Sequence, residues 1–266
     1  MSKNSLPGLS ASEHVDPIFN FDDFLRNVAV DNVIFGYHEK ELKVLLQRPV
    51  GFSKWTVSGG YIKKTETIWQ AAKRVAFMRT GLQNLYLKQF GSFGSPERVI
   101  DNELTPERVR KQVGTEMVSD DSWVFDYYVS IGFYTLTEFS LVTVSKGPYD
   151  DEIKWWPIDH LPTLMFDHKE IIIEALKALQ IHIHHFPIGY ELLPEKFTLP
   201  EIHSLYETIL GKPLHIGNFG RKLMSTGILK KLDETRSIGA HRSPFLYKFD
   251  KRKYEAALKN RIFLAF

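Results

Sequence analysis

The stretch "GGYIKKTETIWQAAKRVAFMRTGL", residues 59–82, decides the fold of this chain. Apolar residues recur at helical spacing between Thr65 and Thr80, which predicts an amphipathic helix with one buried face. Gly81 predicts the end of that helix, because glycine adopts the left-handed conformation of a C-terminal cap without strain. The residues of the expected buried face are Ile68, Ala71, Ala72, Val75 and Ala76.

Short apolar runs on both sides of this helix predict a strand-rich domain between Asn27 and Trp156. The runs "NVAVDNVIFGY" and "LKVLLQRP" flank the polar segment "HEKE" and predict a hairpin. The run "KWTVSGGYI" predicts the strand before the helix, and "LYLKQFGSFG" and "WVFDYYVSIGFYTL" predict the strands after it. The polar connection between the last two strands predicts a short helix after Thr105-Pro106.

The spacing of residues 59–82 resembles the Nudix signature, G-x5-E-x7-R-E-U-x-E-E-x-G-U, where U is a bulky apolar residue. The motif itself covers only this stretch, whereas the strand pattern around it covers residues 27–165. The resemblance implies a Nudix-like α/β/α sandwich with a mixed sheet. The matching positions are Gly60, Glu66, Arg74, Ala76, Gly81 and Leu82.

Three positions of the signature depart from the family. Active members carry metal-binding glutamates there, on one face of the helix, whereas this chain has Val75, Met78 and Arg79. Mg²⁺ requires oxygen ligands, and none of these side chains supplies one. We therefore expect a domain that is not an enzyme and has no metal or cofactor, but keeps a pocket for a nucleotide- or sugar-containing ligand.

The net positive charge lies at the C-terminal end of the chain. The whole sequence has a formal net charge of +2, but residues 212–266 contain 13 basic and 4 acidic residues. The resulting +9 leaves −7 for the first 211 residues, which predicts an end that binds a polyanion. The 43% of hydrophobic residues suffices for packed cores, and the absence of cysteine excludes disulfides and thiolate metal sites.

The pattern of the basic end predicts a winged helix-turn-helix. The run "FTLPEIHSLYETILG" predicts a first helix that Gly211 ends, and "GNFGRKLMSTG" predicts a second helix with Phe219 and Leu223 inward. The runs "ILKKLD" and "PFLYKFD" predict the hairpin that forms the wing. A second helix of this kind enters the major groove of DNA. The expected DNA-binding residues are His215, Asn218, Arg221, Lys222, Ser225, Lys230, Arg236, His241 and Arg242.

A metal-free Nudix domain followed by a winged helix resembles the Nudix-related transcription regulators of bacteria. The run "FTLPEIHSLYETILGKPL" followed by "NFGRK" carries the resemblance, and Gly220 stands where the family usually has an arginine, which puts one DNA contact in doubt. The resemblance implies an α+β chain with a tail and lead-in at residues 1–26, a Nudix-like effector-binding domain at 27–165 and a winged helix-turn-helix domain at 166–266.

The chain is most similar to the arabinose-responsive branch of these regulators. That likeness implies a repressor of carbohydrate-utilisation genes that senses a sugar, L-arabinose. The alternatives are a regulator of NAD metabolism that senses ADP-ribose, and an atypical Nudix hydrolase with carboxylates from Glu66, Glu116 and Asp126. A scaffold whose basic end binds RNA or a protein is a further alternative.

A free sugar is uncharged and needs polar groups together with an aromatic wall. Arg48 either faces the ligand or forms a surface ion pair, and Trp55 either stacks on a sugar ring or packs in the core. The expected ligand-binding residues are Lys43, Arg48, Trp55, Ser58, Gly59, Gly60, Glu116, Asp126 and Tyr128.

The expected partners are a double-stranded DNA operator, the small-molecule effector and a second copy of the chain. Two winged helices in a homodimer match a palindromic operator. The histidines of "HIHHF" (residues 182–186) lack carboxylates at ligand spacing and are not expected to bind zinc. The N-terminal "MSKNSLPGLSASEHVDP" has no apolar stretch typical of a secretion signal, and no segment has the length of a membrane span, which predicts a cytoplasmic protein.

Overall fold

The computed structural model describes residues 20–38, 40–83, 85–113, 118–139, 142–147, 149–190, 192–237 and 243–260. A six-stranded mixed sheet forms the larger part of these residues. Its strands are β1 (Phe24–His38), β2 (Glu41–Pro49), β3 (Ser58–Lys63), β4 (Lys88–Phe93), β5 (Val129–Glu138) and β6 (Asp150–Pro157). None of the helices in the described ranges is both long and apolar enough to cross a membrane.

The long first strand organises the sheet. The strand order is β4-β5-β1-β2-β6, and β3 pairs with β1 as well. The β1–β5 pair is parallel, whereas β1–β2, β1–β3, β2–β6 and β4–β5 are antiparallel. The predicted hairpin of β1 and β2 is confirmed, and so is the mixed character of the sheet.

Helix α1 (Ile68–Thr80) is the helix that residues 59–82 predict. Thr67 and Gln70 form a reciprocal capping box at its start, and Gly81, with φ of +69°, closes it as a left-handed cap. Four of the five predicted face residues are buried, but Ile68 at the first position is 39% exposed. Ile68 lies in the first turn of the helix, and the buried stripe begins at Ala71.

Alternation along β1 separates two cores on opposite faces of the sheet. Val30 and Ile34 pack with α1, whereas Val33 and Phe35 pack with α3 (His168–His182) on the other face. Helix α3 thus supplies the second helical layer of the predicted α/β/α sandwich. The short predicted helix after Thr105 is present as α2 (Pro106–Val113).

Strand β6 was not predicted as a strand. Its two tryptophans, Trp155 and Trp156, pair with Leu45 and Val44 of β2. Trp156 packs in the core on the α3 side, and the ring of Trp155 lies against Gly36. Polar residues at the start of "DDEIKWWP" weaken the apolar signal of a strand, which explains the omission.

The C-terminal part is a three-helix unit with a small sheet. Its helices are α4 (Leu199–Leu210), α5 (Ile216–Ser225) and α6 (Lys251–Asn260), and its strands are β7 (Phe197–Thr198), β8 (Leu229–Thr235) and β9 (Phe245–Phe249). The sheet order is β7-β9-β8. The rings of Tyr206 and Phe219 meet edge to face at 5.1 Å where α4 crosses α5.

The two parts share one continuous core. Buried residues of the larger sheet, of α3 and of α4 form a single hydrophobic cluster. Polar contacts cross the same boundary: Gln180 of α3 donates to the carbonyl of Ile209 at 3.0 Å, and the Thr208 hydroxyl donates to the carbonyl of Lys40 at 3.2 Å. Because α3 packs on both parts, it connects the sheet mechanically to the C-terminal unit.

Candidate functional site

A cavity of about 270 Å³ lies where β3, α1, α2 and the start of β6 converge. Aromatic and aliphatic side chains form much of its wall. The polar and charged residues that line it are Asp31, Gln47, Thr56, Tyr61, Arg74, Arg79, Gln112, Tyr128, Tyr149, Asp150 and His168.

The three residues that replace the Nudix glutamates all line this cavity. Val75, Met78 and Arg79 lie on the face of α1 that closes one wall. A methyl group of Val75 stands 2.8 Å from where a Cβ on Gly60 would be, so the second glycine of "GG" is required by the close approach of α1 to β3. The helix that would present carboxylates to a metal therefore presents apolar surface and one guanidinium.

A buried ionic cluster forms one end of the cavity. Nη2 of Arg98 lies 2.9 Å from Oδ1 of Asp167 and 3.4 Å from Oδ2 of Asp31, and the Arg98 side chain is fully buried. Nε2 of His168 lies 3.9 Å from Oδ1 of Asp31. The Arg98 guanidinium also lies over the ring of Tyr128 at 4.7 Å. Two carboxylates thus surround one guanidinium, so this end of the cavity has a net negative charge.

Burial controls the protonation of the groups around Asp31. Burial lowers the pKa of His168, although Asp31 and Asp167 oppose the shift, so the imidazole is neutral at neutral pH. The backbone N–H of Val57 donates to Nδ1 of His168 at 3.3 Å, which leaves the proton of the neutral ring on Nε2, toward Asp31. Burial and the nearby Asp31 raise the pKa of Tyr61 to about 12.

A second buried ion pair forms the other end of the cavity. Nη1 of Arg79 lies 2.8 Å from Oδ2 of Asp150, and both side chains are more than nine-tenths buried. Burial lowers the pKa of Arg79 and raises that of Asp150, while their mutual attraction opposes both shifts. The backbone N–H of Gly147 also donates to Asp150 at 3.0 Å.

Glu66, the signature glutamate that this chain retains, is hydrogen-bonded to Arg74, the arginine of the same signature. Nε of Arg74 donates to Glu66 at 2.9 Å, and the backbone N–H of Lys63 donates to the same carboxylate at 2.7 Å. Burial would raise the pKa of Glu66, but these hydrogen bonds lower it overall. No group of three or more potential ligands capable of holding a metal ion occurs in the described ranges, so the residues present do not fit a Nudix metal site.

Of the nine predicted ligand-binding residues, Gly59, Gly60 and Tyr128 line the cavity. Gly59 is needed there because a Cβ at this position would lie 2.6 Å from Oδ1 of Asp31. Glu116 lies outside the described residues. The remaining five do not line the cavity, and they are Lys43, Arg48, Trp55, Ser58 and Asp126.

Strand alternation explains why Arg48 does not line this cavity, and core packing explains the same for Trp55. Gln47 faces the α1 side and lines the cavity, so the next residue, Arg48, faces the opposite side. There Arg48 pairs with Glu152 at 3.3 Å, the surface ion pair that was its alternative interpretation. Trp55 packs in the core on the α3 side, with its ring 5.3 Å from that of Trp156.

The other three residues are also placed differently from the prediction. Lys43 pairs with Glu41 at 3.3 Å on the side of the sheet near Phe139. Ser58 is fully buried in β3, and Asp126 is exposed to solvent. Of the carboxylates suggested for an atypical hydrolase, Asp126 is exposed, Glu66 is held by Arg74, and Glu116 lies outside the described residues, so that alternative stays a prediction.

Several cavity residues were missed by the sequence analysis. Asp31 could have been predicted from the sequence, because it lies within the apolar run "NVAVDNVIFGY". Burying a carboxylate there costs free energy unless it is paired, which indicates a partner. Asp150 and His168, and Arg98 that pairs with Asp31, carried no such signal, because only the tertiary structure brings these distant segments together.

The second helix of the C-terminal unit exposes the predicted polar face. Phe219 and Leu223 of α5 are buried, whereas Asn218, Arg221, Lys222 and Ser225 are exposed as predicted. Nη2 of Arg221 donates to Oδ1 of Asn218 at 2.5 Å, so these two side chains form one outward unit. His215 caps the helix, since its Nδ1 accepts the backbone N–H of Asn218 at 3.3 Å.

The wing residues have partners within the chain or lie outside the described residues. Arg236 donates to Glu201 at 2.7 Å and to the carbonyl of Lys196 at 2.7 Å, which ties the wing to the start of α4. Lys230 pairs with Asp250 at 3.1 Å and remains 57% exposed. His241 and Arg242 lie outside the described residues.

Gly220 has a structural role that the sequence analysis did not foresee. It is buried, and a Cβ there would lie 2.9 Å from a methyl group of Leu199 on α4. The position therefore faces the α4–α5 contact and not the exposed side of α5. An arginine at this position would not extend the exposed polar face.

Comparisons with known proteins match both parts of the chain. Residues 189–249 match the family model of the NrtR DNA-binding winged helix domain. The crystal structure of Shewanella oneidensis NrtR complexed with a 27mer DNA is similar with a TM-score of 0.67 and 25% identity, over 86% of this chain and 96% of that one. A MutT/nudix family protein from Enterococcus faecalis is similar with a TM-score of 0.59 and 19% identity, over 85% and 87%.

The chain joins a Nudix fold to an NrtR-type winged helix. The predicted fold class is thereby confirmed, while the predicted domain boundaries stay a prediction. The ADPR responsive transcriptional repressor NtrR of Acinetobacter baylyi is 23% identical over 235 residues, which are 86% of this chain and 84% of that protein. These comparisons do not support the arabinose-responsive branch and agree better with the ADP-ribose alternative.

Proposed function

We propose that the protein is a cytoplasmic, homodimeric repressor that binds operator DNA through its winged helix and responds to a small effector bound in the Nudix cavity. The observation that carries the proposal is the similarity, over 86% of this chain and 96% of the other, to a protein crystallised with a 27mer DNA. The similar A. baylyi protein is a repressor by name.

The exposed face of α5 supports DNA as the partner of the basic end. Asn218, Arg221, Lys222 and Ser225 lie at positions i, i+3, i+4 and i+7 of one helix, facing solvent. Arginine pairs with guanine and asparagine with adenine in the major groove. The +9 charge of residues 212–266 supplies the sequence-independent attraction to phosphates.

Helix α3 provides the route from the cavity to the DNA-binding domain. Its first residue, His168, lines the cavity, and Asp167 before it pairs with Arg98. Near its other end Gln180 binds the last turn of α4. An effector that shifts the start of α3 therefore moves an element packed on the winged helix, and about 1.4 kcal/mol of such coupling changes DNA affinity tenfold.

ADP-ribose is the first effector to test, because the A. baylyi repressor is described as ADPR responsive. With this effector the regulated genes would belong to NAD metabolism. The mixed aromatic and polar wall of the cavity is typical of a site for a sugar-containing ligand.

One observation favours an uncharged sugar, such as L-arabinose, as the second candidate. Each arginine that lines the cavity already pairs with a carboxylate: Arg74 with Glu66, and Arg79 with Asp150. A diphosphate is normally neutralised by free cations or by a divalent metal. Among the described residues that line the cavity, both arginines are paired and none of the residues at the Nudix metal positions offers an oxygen ligand, whereas paired Arg and Asp groups suit the hydroxyl groups of a sugar.

We further propose that the cavity binds its effector without hydrolysing it. Val75, Met78 and Arg79 present no oxygen ligand, and Glu66 is held by Arg74. Incubation with ADP-ribose and Mg²⁺ or Mn²⁺ should yield no AMP or ribose phosphate.

A gel-shift titration with DNA from upstream of the gene tests the proposed function. The protein should retard this DNA and not a shuffled duplex, with an affinity that falls steeply as salt rises. The titration is repeated with ADP-ribose and, separately, with L-arabinose. The compound that releases the DNA is the effector. Absence of specific retardation at low salt would contradict the proposal.

A further inference from the structure

The cavity contains a polar end whose role the Nudix signature does not predict. Arg79 of α1 and Asp150 of β6 form it, and Gln47 of β2 lies on the neighbouring strand. The register of the sheet pairs Gln47 with Ile153 and Pro49 with Asp150, which brings Gln47 and Asp150 close along adjacent strands. Donor and acceptor groups from three elements therefore line the same cavity, which Val75 and Met78 of the degenerate signature also line.

Two of these buried side chains lack hydrogen-bond partners among the described residues. Nε and Nη1 of Arg79 have no acceptor at hydrogen-bond geometry, although Nη1 is close enough to Asp150 for an ion pair. Oε1 of Gln47 also has no donor, and Gln47 is only 7% exposed. A buried donor or acceptor without a partner destabilises a fold, so such groups beside a cavity indicate a ligand that satisfies them.

The chemistry of the three groups selects the kind of ligand. Arg79 offers donors, while Asp150 and Oε1 of Gln47 offer acceptors. A hydroxyl group both donates and accepts, so a pair of neighbouring hydroxyls satisfies this set. A phosphate accepts only, and the carboxylate of Asp150 repels it.

We propose that Gln47, Arg79 and Asp150 form a metal-free subsite that binds neighbouring hydroxyl groups on the sugar of the effector. This proposal rests on the proposed function and specifies how the same cavity recognises its ligand. A pentose hydroxyl pair occurs both in free L-arabinose and in ADP-ribose. In both cases Arg79 occupies the metal position of the fold and contacts the sugar directly.

The test measures effector binding and DNA binding on the full-length protein. Isothermal titration in EDTA uses L-arabinose, ADP-ribose and inorganic pyrophosphate as separate probes. The variants are Gln47→Met, which removes the unpaired amide, and Arg79→Met with Asp150→Leu, which removes the ion pair without leaving one buried charge alone. The matched control is Arg48→Met, which removes a guanidinium paired on the opposite face of β2.

The proposal predicts that the wild-type protein binds at least one of the two sugar-containing probes and does not bind pyrophosphate. The double variant should bind that probe at least about tenfold more weakly, and Gln47→Met about fivefold more weakly, as expected for lost hydrogen bonds. Arg48→Met should match the wild type, and every variant should bind upstream DNA normally in the absence of effector. If the double variant fails to fold, Gln47→Met alone decides the test.

Three results would overturn the subsite. The first is an unchanged affinity in Gln47→Met and in the folded double variant. The second is pyrophosphate binding in EDTA that requires Arg79, which would make the end of the cavity a phosphate site. The third is a wild-type protein that binds neither sugar probe. Failure of the wild type to bind upstream DNA contradicts the proposed function instead and is measured separately.

Discussion

The cavity and the exposed face of α5 use the same residue types in opposite ways. Arg79 and Arg98 are buried against carboxylates, whereas Arg221 and Lys222 project into solvent, with Asn218 beside the arginine. A buried cation must be paired to be tolerated, whereas an exposed one can contact a phosphate or a base from solvent. The net charge of a region therefore says less about its partner than the burial of each charge does.

The largest expected effect comes from breaking a buried pair in the cavity. Arg98→Met leaves the carboxylates of Asp31 and Asp167 without their common cation. We expect a loss of about 3–5 kcal/mol in the free energy of unfolding, measured by urea denaturation. Arg48→Met, which removes a half-exposed ion pair, should change stability by less than about 1 kcal/mol. If Arg98→Met and Arg48→Met lowered the free energy of unfolding equally, the contrast between buried and exposed cations would be contradicted.

A somewhat smaller effect is expected at the helix that joins the two regions. Ile172 of α3 is fully buried in the core shared by the sheet and α4, so Ile172→Ala should cost about 3 kcal/mol of stability. It should weaken the response to effector more than DNA binding itself, as judged by DNA affinity with and without effector.

The neighbouring Ile173→Ala is the matched control, because Ile173 is 42% exposed on the same helix. A variant Ile172→Ala that loses operator affinity but keeps the full response to effector would show that α3 does not transmit the signal.

On the DNA-binding face we expect affinity, not stability, to change. Arg221→Ala should weaken operator binding by about 1–3 kcal/mol, or roughly 10- to 100-fold, while unfolding stays as in the wild type. Fluorescence anisotropy with labelled operator measures the loss. Lys177→Ala, on an exposed face of α3, should have no effect. A loss of stability without a loss of affinity would place Arg221 among the structural residues.

The smallest expected effect is a pH dependence that arises in the cavity. Burial holds the pKa of His168 below its ordinary value of 6.5, so the unfolded chain binds a proton that the folded chain does not. His168 therefore costs little stability above about pH 6.5. Below that pH the free energy of unfolding decreases, by at most about 1.4 kcal/mol per pH unit. His168→Gln should flatten the fall in Tm between pH 7 and pH 5.5. The same slope in the variant would assign the effect to other groups.

Local patterns predicted the helices and most strands because each carries its own periodicity and its own end signals. Gly81, which ends α1, and the buried Phe219 and Leu223 of α5 are of this kind. The cavity was predicted less well, because its walls depend on which face of a strand a residue occupies. A single step along β2 separates Gln47 in the cavity from Arg48 on the other face.

The exposed polar face of α5 was easier to predict than the cavity for the same reason. An exposed face is local, since residues spaced along one helix share it. The Arg98–Asp31–Asp167 cluster joins three segments distant in sequence, and no local signal marks such a cluster. The partners of Arg236 also required the structure, because Glu201 lies on another element.

The central claim is that a metal-free cavity controls DNA binding. The most direct test is the affinity for upstream DNA, measured by fluorescence anisotropy with and without the effector, once in EDTA and once in Mg²⁺. We predict that the effector weakens DNA binding at least about tenfold, equally in both buffers, and is recovered unhydrolysed. An effect seen only with Mg²⁺, accompanied by cleavage of the effector, would contradict the account.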